Sequence, residues 1–171
     1  MKVLIVVDMQ NDFIDGALGS KMAEAIVDRV ARRINEFDGR VIFTRDTHTE
    51  AYIQTQEGRR LPVPHCIKDS DGWQISEKLP IPDGAVFIDK PTFGSTELGR
   101  LLSDMEREEH IDEIELCGLC TDICVISNAF IAKATLPEAR IAVNSAACAG
   151  VSEESHNTAL AAMRACQIDV Y

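Results

Sequence analysis

"KVLIVV", residues 2–7, is an apolar run rich in β-branched side chains that stops abruptly at Asp8. A strand with one wet face alternates apolar and polar residues. An unbroken run suits a parallel strand buried on both faces. Helical spacing follows it. In "SKMAEAIVDRVARRINEF" (20–37), Met22, Ala25, Ile26, Val30, Ile34 and Phe37 fall on one stripe behind a Ser20 cap. "RVIFTR" (40–45) and "AVFIDK" (85–90) read as strands, and "STELGRLLSDMERE" (95–108) as a helix capped by Ser95. "IDEIELCG" (111–118) is a strand and 122–135 a helix capped by Thr121 or Asp122. "ARIAVNSA" (139–146) is a strand, "SEESHNTALAAMRAC" (152–166) a helix with a serine cap, and "IDVY" (168–171) a closing strand. The alternation predicts a three-layer α/β/α sandwich in a single domain, 1–171. Its sheet is mainly parallel and six-stranded with helices on both faces, and the strand order expected of it, by likeness to Rossmann-type sheets rather than from the alternation, is 3-2-1-4-5-6.

The composition narrows the function classes. Hydrophobic residues are 46% and charged residues 26% of the chain, an ordinary globular balance. A formal net charge of −11 with no Lys/Arg-rich run argues against nucleic acid or an anionic membrane as partner. No stretch approaches the roughly 20 apolar residues of a membrane span. "MKVLIVVDMQ" is too short in its apolar part for a signal peptide. Six cysteines without a secretion signal point to reduced thiols and a cytoplasmic location.

One segment breaks the rhythm. Residues 47–84, between the second and third strands, hold four of the six prolines, two of the four histidines and the only tryptophan. A loop this long in a compact domain is commonly functional, so it is expected to be a site-forming lid.

Ligands of open parallel sheets bind beyond the carboxyl ends of the strands. At those ends stand Asp8, then Asp46 with His48, then Lys90, then the turn leading to Cys120 and Cys124. A strand-end aspartate alone is more often a turn residue; four reactive ends on one edge indicate an active site. Cys117, within its strand, reads as core packing. Cys124, in the first helical turn, is where backbone N–H groups and the helix dipole would lower a thiol pKa. A half-buried packing cysteine remains open on this segment alone. Reading Cys117, Cys120 and Cys124 as a metal site lacks a second ligand pair, and a redox pair would be expected to open a helix. A metal fits better on Asp46, His48 and His65, with Glu57 as a candidate fourth ligand. That donor set suits zinc, manganese or iron. Surface histidines in a polar loop are the competing reading. His110 and His156 read as ordinary surface residues, and Asp12, Asp15 and Asp122 as turn or cap residues.

Several motifs, in order, resemble the isochorismatase-like cysteine hydrolases, especially nicotinamidases and related amidases. They are "VDMQNDF" (7–13), "RDTH" (45–48), "PHC" (64–66), the lysine of "DKPTFGST" (89–96) and "CGLCTDICV" (117–125). The resemblance covers residues 3–130; beyond that only the α/β rhythm agrees. It implies a catalytic triad of Asp8, Lys90 and Cys124, with an oxyanion hole from the backbone N–H groups of Cys120 and Cys124. It also implies a cis peptide at Leu119–Cys120 and a divalent ion, Zn2+ first and Mn2+ or Fe2+ next, on the Asp46/His48/His65 set. The W-P-x-H of nicotinamidases is Pro62-Val63-Pro64-His65 here, and their following G-T-x-G-A is replaced by "KDSDGWQ" (68–74). The pocket wall therefore differs, and Phe13, Tyr52 and Trp73 are expected to rebuild it. The implied activity is hydrolysis of a small carboxamide, nicotinamide first, to acid and ammonia, in a homo-oligomer. A cysteine hydrolase of another amide or ureido compound is the alternative. A non-catalytic metal- or ligand-binding module on the same scaffold is the third reading.

Overall fold

The computed structural model describes residues 1–171. Six strands are β1 (Lys2–Val7), β2 (Arg40–Asp46), β3 (Val86–Lys90), β4 (Glu113–Leu119), β5 (Arg140–Ala149) and β6 (Asp169–Val170). They form one parallel sheet in the order β3-β2-β1-β4-β5-β6. The apolar run of β1 sits at its centre, and residues 3–7 are wholly buried. The helices are α1 (Asn11–Ile14), α2 (Lys21–Glu24), α3 (Val27–Glu36), α4 (Thr96–Glu108), α5 (Ile126–Thr135) and α6 (Glu153–Ala165). The order runs one way from β1 to β3 and the other way from β4 to β6. Right-handed crossovers therefore put α3 on one face and α4, α5 and α6 together on the other.

Three caps match their sequence signals. Ser20, Ser95 and Ser152 accept from Ala23, Leu98 and Ser155 N–H respectively. Two expectations are corrected. The helix expected over 20–37 breaks at Ala25–Ile26 into α2 and α3. The break rotates the stripe, so Ala23 turns inward while Met22 and Ala25 stay exposed. Neither Thr121 nor Asp122 caps the helix after β4. The chain enters α5 through a π-helical turn, Thr121–Val125, closed by Val125 N–H donating to the Cys120 carbonyl. No helix is long and apolar enough to cross a membrane.

The order matters because it reverses between β1 and β4. Connections leave in opposite directions there, opening a crevice at the strand ends. Gly118 lets the two strands close up at that point. Its φ is +116°, and a Cβ there would lie 2.1 Å from the Val7 carbonyl oxygen.

Candidate active site

The crevice gathers the strand-end residues. Asp8, just beyond β1, has a left-handed backbone (φ +47°), which Asp tolerates better than most residues. Its carboxylate is fully buried. Oδ1 accepts from Thr44 Oγ1 at 2.7 Å, and Oδ2 lies 2.6 Å from Lys90 Nζ. That second contact is an ion pair between two fully buried side chains. Lys90, the last residue of β3, also reaches the Thr92 carbonyl at 3.1 Å, Asp46 Oδ1 at 3.5 Å and Cys124 Sγ at 3.5 Å. Asp8, Lys90 and Cys124 are thus brought together from the residue after β1, the end of β3 and the π-helical turn, although the chain separates them by 82 and then 34 residues.

Burial works against the Lys90 charge, but the Asp8 and Asp46 carboxylates outweigh it and raise the pKa of the ammonium. Burial likewise pushes the Asp8 carboxyl above its ordinary range, against the pull of Lys90. The Cys124 thiol is pushed well up, by burial first and by the Asp8 charge second. This corrects the expectation of a thiolate made by the helix dipole. A dry site beside a carboxylate disfavours the sulfur anion, and attack then calls for a base. Asp8 is that neighbour.

Across the crevice lies a second cluster. Donor atoms of Asp46, His48, Glu57 and His65 all lie within 4.8 Å of one another. His48 Nε2 is 2.9 Å from Asp46 Oδ2, and His65 Nε2 is 3.5 Å from the same oxygen. Glu57 Oε1 stands 3.6 Å from His48 Nε2 and 3.9 Å from His65 Nε2. His65 Nδ1 donates to the Val63 carbonyl at 2.8 Å, which turns Nε2 toward the cluster. Metal-binding imidazoles are commonly oriented this way. Burial opposes the Asp46 charge, yet hydrogen bonds from both histidines and the Lys90 charge hold its carboxyl well below the usual range. Burial and the Asp46 charge push the Glu57 carboxyl up. Two carboxylates and two imidazoles converging on one point fit a divalent cation.

Between the clusters is a cavity of about 450 Å³. Cys120, Cys124, Asp46, Glu57 and His65 form its polar end, and Phe13, Leu18, Leu61, Phe93, Ile123 and Val151 its apolar wall. No Lys or Arg lines it. Phe13 lies against His65 with ring centroids 5.5 Å apart. Tyr52 and Trp73 do not line the cavity, which corrects their expected place. Tyr52 is buried behind the histidines, its ring 4.6 Å from His48 and 4.9 Å from His65, and its hydroxyl donates to the Leu61 carbonyl. Trp73 donates from Nε1 to Thr47 Oγ1, with the Arg45 guanidinium over its ring. Both brace the 47–84 loop instead. The Leu119–Cys120 peptide is cis. Cys117 is buried in β4.

Several supporting residues escaped the sequence reading. Gln10 is wholly buried; Nε2 donates to the Asp46 and Trp73 carbonyls, and Oε1 accepts from Asp46 N–H. It lies inside the quoted "VDMQNDF", three residues past the end of β1, where a polar residue following the apolar Met9 was the available signal. Asp12 accepts from Cys66 N–H at 2.7 Å, tying the loop back to α1. Asn128 donates to the Phe93 and Cys124 carbonyls and accepts from Ser95 N–H. Its spacing of four from Cys124 puts both on one helical face. His110 is exposed as expected, but His156 is half-buried and bonded to Thr121.

The Isochorismatase domain family model matches residues 2–171. An uncharacterized isochorismatase family protein of Bacillus subtilis is 35% identical over 173 residues, covering 93% of this chain and 92% of that protein. The nicotinamidase/pyrazinamidase of Mycobacterium tuberculosis is 27% identical over 186 residues, covering 99% and 98%. Among solved structures, a pyrazinamidase of Pyrococcus horikoshii in complex with zinc aligns with a TM-score of 0.85 at 27% identity, covering 99% and 98%. The likeness thus runs on through β5, α6 and β6, beyond the motifs that first suggested it, and the chain belongs to the isochorismatase family.

Proposed function

We propose that this protein is a cysteine amidohydrolase of the nicotinamidase type, cleaving a small carboxamide to its acid and ammonia. One observation carries the reading: Lys90 ties Asp8, Cys124 and Asp46 together at the polar end of a cavity whose remaining wall is apolar. Asp8 takes the Cys124 proton, and Lys90 keeps both groups in register while balancing the negative charge. The sulfur attacks the amide carbonyl carbon, and the oxyanion faces the backbone N–H groups of Cys120 and Cys124. The C–N bond breaks, Asp8 returns the proton, and ammonia leaves a thioester on Cys124. Water, deprotonated by Asp8, attacks that thioester; acid departs and the thiol is restored.

Asp46, His48, Glu57 and His65 would hold a divalent cation, zinc first. When bound, such an ion supplies positive charge and a coordination position that fixes a substrate heteroatom. The zinc complex of the Pyrococcus horikoshii pyrazinamidase supports zinc as the first ion to test. The cavity favours a neutral ring carboxamide such as nicotinamide or pyrazinamide over ureido acids. A substrate carboxylate would find no Lys or Arg on the cavity wall. Ammonia release from nicotinamide, pyrazinamide and a panel of ureides, by zinc-loaded protein, tests this. Turnover of ureido acids alone would replace nicotinamide as substrate, and no turnover of any compound would sink the hydrolase reading.

A further inference from the structure

The turn that carries Cys120 and Cys124 is held from behind by α6. Thr121, its first residue, is wholly buried, and its hydroxyl shares a 2.8 Å hydrogen bond with His156 Nδ1. That is the hydroxyl's one side-chain hydrogen bond. Next along the turn, Asp122 Oδ1 accepts from Val151 N–H at 3.1 Å. Val151 and Gly150, just past the end of β5, line the cavity together with Cys120 and Ile123. Gly150 is needed for this approach. A Cβ there would come within 2.9 Å of both Asp122 Oδ1 and His156 Cβ. One side chain of α6 and one of the turn thus bind the oxyanion segment to the cavity wall.

We infer that His156 is a positioning residue: through Thr121 it fixes the Cys120–Cys124 turn in the register that presents its N–H groups and sulfur to the substrate carbonyl. The inference rests on the hydrolase reading above. His156 touches neither substrate nor sulfur, so its effect belongs in the transition state. A buried hydroxyl without a partner seeks another, and a π-helical turn can relax toward α-helical bonding. Either shift moves the N–H groups, and displacements near 1 Å at a reacting centre cost up to ~10²-fold in rate.

The test uses the zinc-loaded protein, nicotinamide, pyridine-3-carboxaldehyde and nicotinate. The aldehyde adds to the Cys124 sulfur and leaves an oxygen where the oxyanion forms; nicotinate only occupies the cavity. His156→Ala should lower kcat by about 10-fold with KM within about twofold, and weaken the aldehyde about 10-fold while sparing nicotinate. His156→Asn, whose amide can reach the Nδ1 position, should restore most of the loss. Thr121→Val should match His156→Ala, and the double variant should be no worse than either single one. Unchanged kcat, equal weakening of aldehyde and nicotinate, or additive losses would overturn the inference. Failure of wild type on every amide counts against the hydrolase reading instead. Should His156→Ala not fold, Thr121→Val and His156→Asn carry the same comparison.

Discussion

The two clusters facing the cavity solve the same problem, buried charge, in opposite ways. At the strand ends the cation belongs to the chain: Lys90 sits among Asp8, Asp46 and Cys124 with its own side chain fully buried. At the mouth of the 47–84 loop no Lys or Arg stands between Asp46 and Glu57, and the two histidines aim nitrogen atoms at the same point. Asp46 belongs to both, Oδ1 toward Lys90 and Oδ2 toward the histidines. A self-neutralised cluster can be preorganised by folding alone. One with surplus negative charge calls for a guest. The proposed nucleophile thus sits on the rigid sheet edge, and the metal-type ligands sit largely on a loop.

The largest test of this division is Cys124→Ala. It should reduce nicotinamide turnover at least ~10³-fold while the protein keeps its fold and its zinc stoichiometry. Loss of zinc together with activity would mean the clusters are not separable. Next is chelation. Removing the metal should lower turnover about 10²-fold, with recovery on adding zinc, and increase amide exchange in residues 47–84 but not in β1 or β4. Activity indifferent to chelation would remove the metal from the reaction.

Gln10→Ala attacks the joint between the regions. It should weaken zinc binding 10- to 100-fold, roughly the effect of losing an outer-shell partner. It should also cost about 2–3 kcal/mol of stability in urea unfolding, because buried backbone groups of Asp46 and Trp73 lose their partner. The pH profile sharpens the strand-end side. Asp8 must be ionised to take the thiol proton, and burial raises its carboxyl. Activity should therefore fall on the acid side with a midpoint above the ordinary aspartate value of ~3.9, and Asp8→Asn should abolish turnover throughout. The smallest effect is expected of Trp73→Phe. It removes the 2.8 Å bond to Thr47 and should cost about 1 kcal/mol, with KM for nicotinamide unchanged within about twofold. Phe13→Ala, by contrast, should raise KM several-fold, since Phe13 lines the cavity.

Residue order in the chain already specified most of the scaffold. A short apolar run rich in β-branched residues with no polar alternation suits a strand covered on both sides, and serine before an amphipathic stretch starts a helix. Both are local physics, so β1, α4 and α6 were legible within a residue or two. The strand-end rule likewise marked Asp8, Asp46, Lys90 and Cys124, because parallel strands deliver their carboxyl ends to one edge. Tertiary structure decided what depends on distance and dielectric. It took Tyr52 and Trp73 out of the cavity, since an aromatic ring in a loop packs wherever backbone folding leaves apolar space. It put Cys124 in a dry site beside Asp8, where burial and the carboxylate push the thiol's pKa up. It also joined His156 to Thr121 across 35 residues, a contact no period or motif encodes, because only the packing of α6 behind the turn makes it.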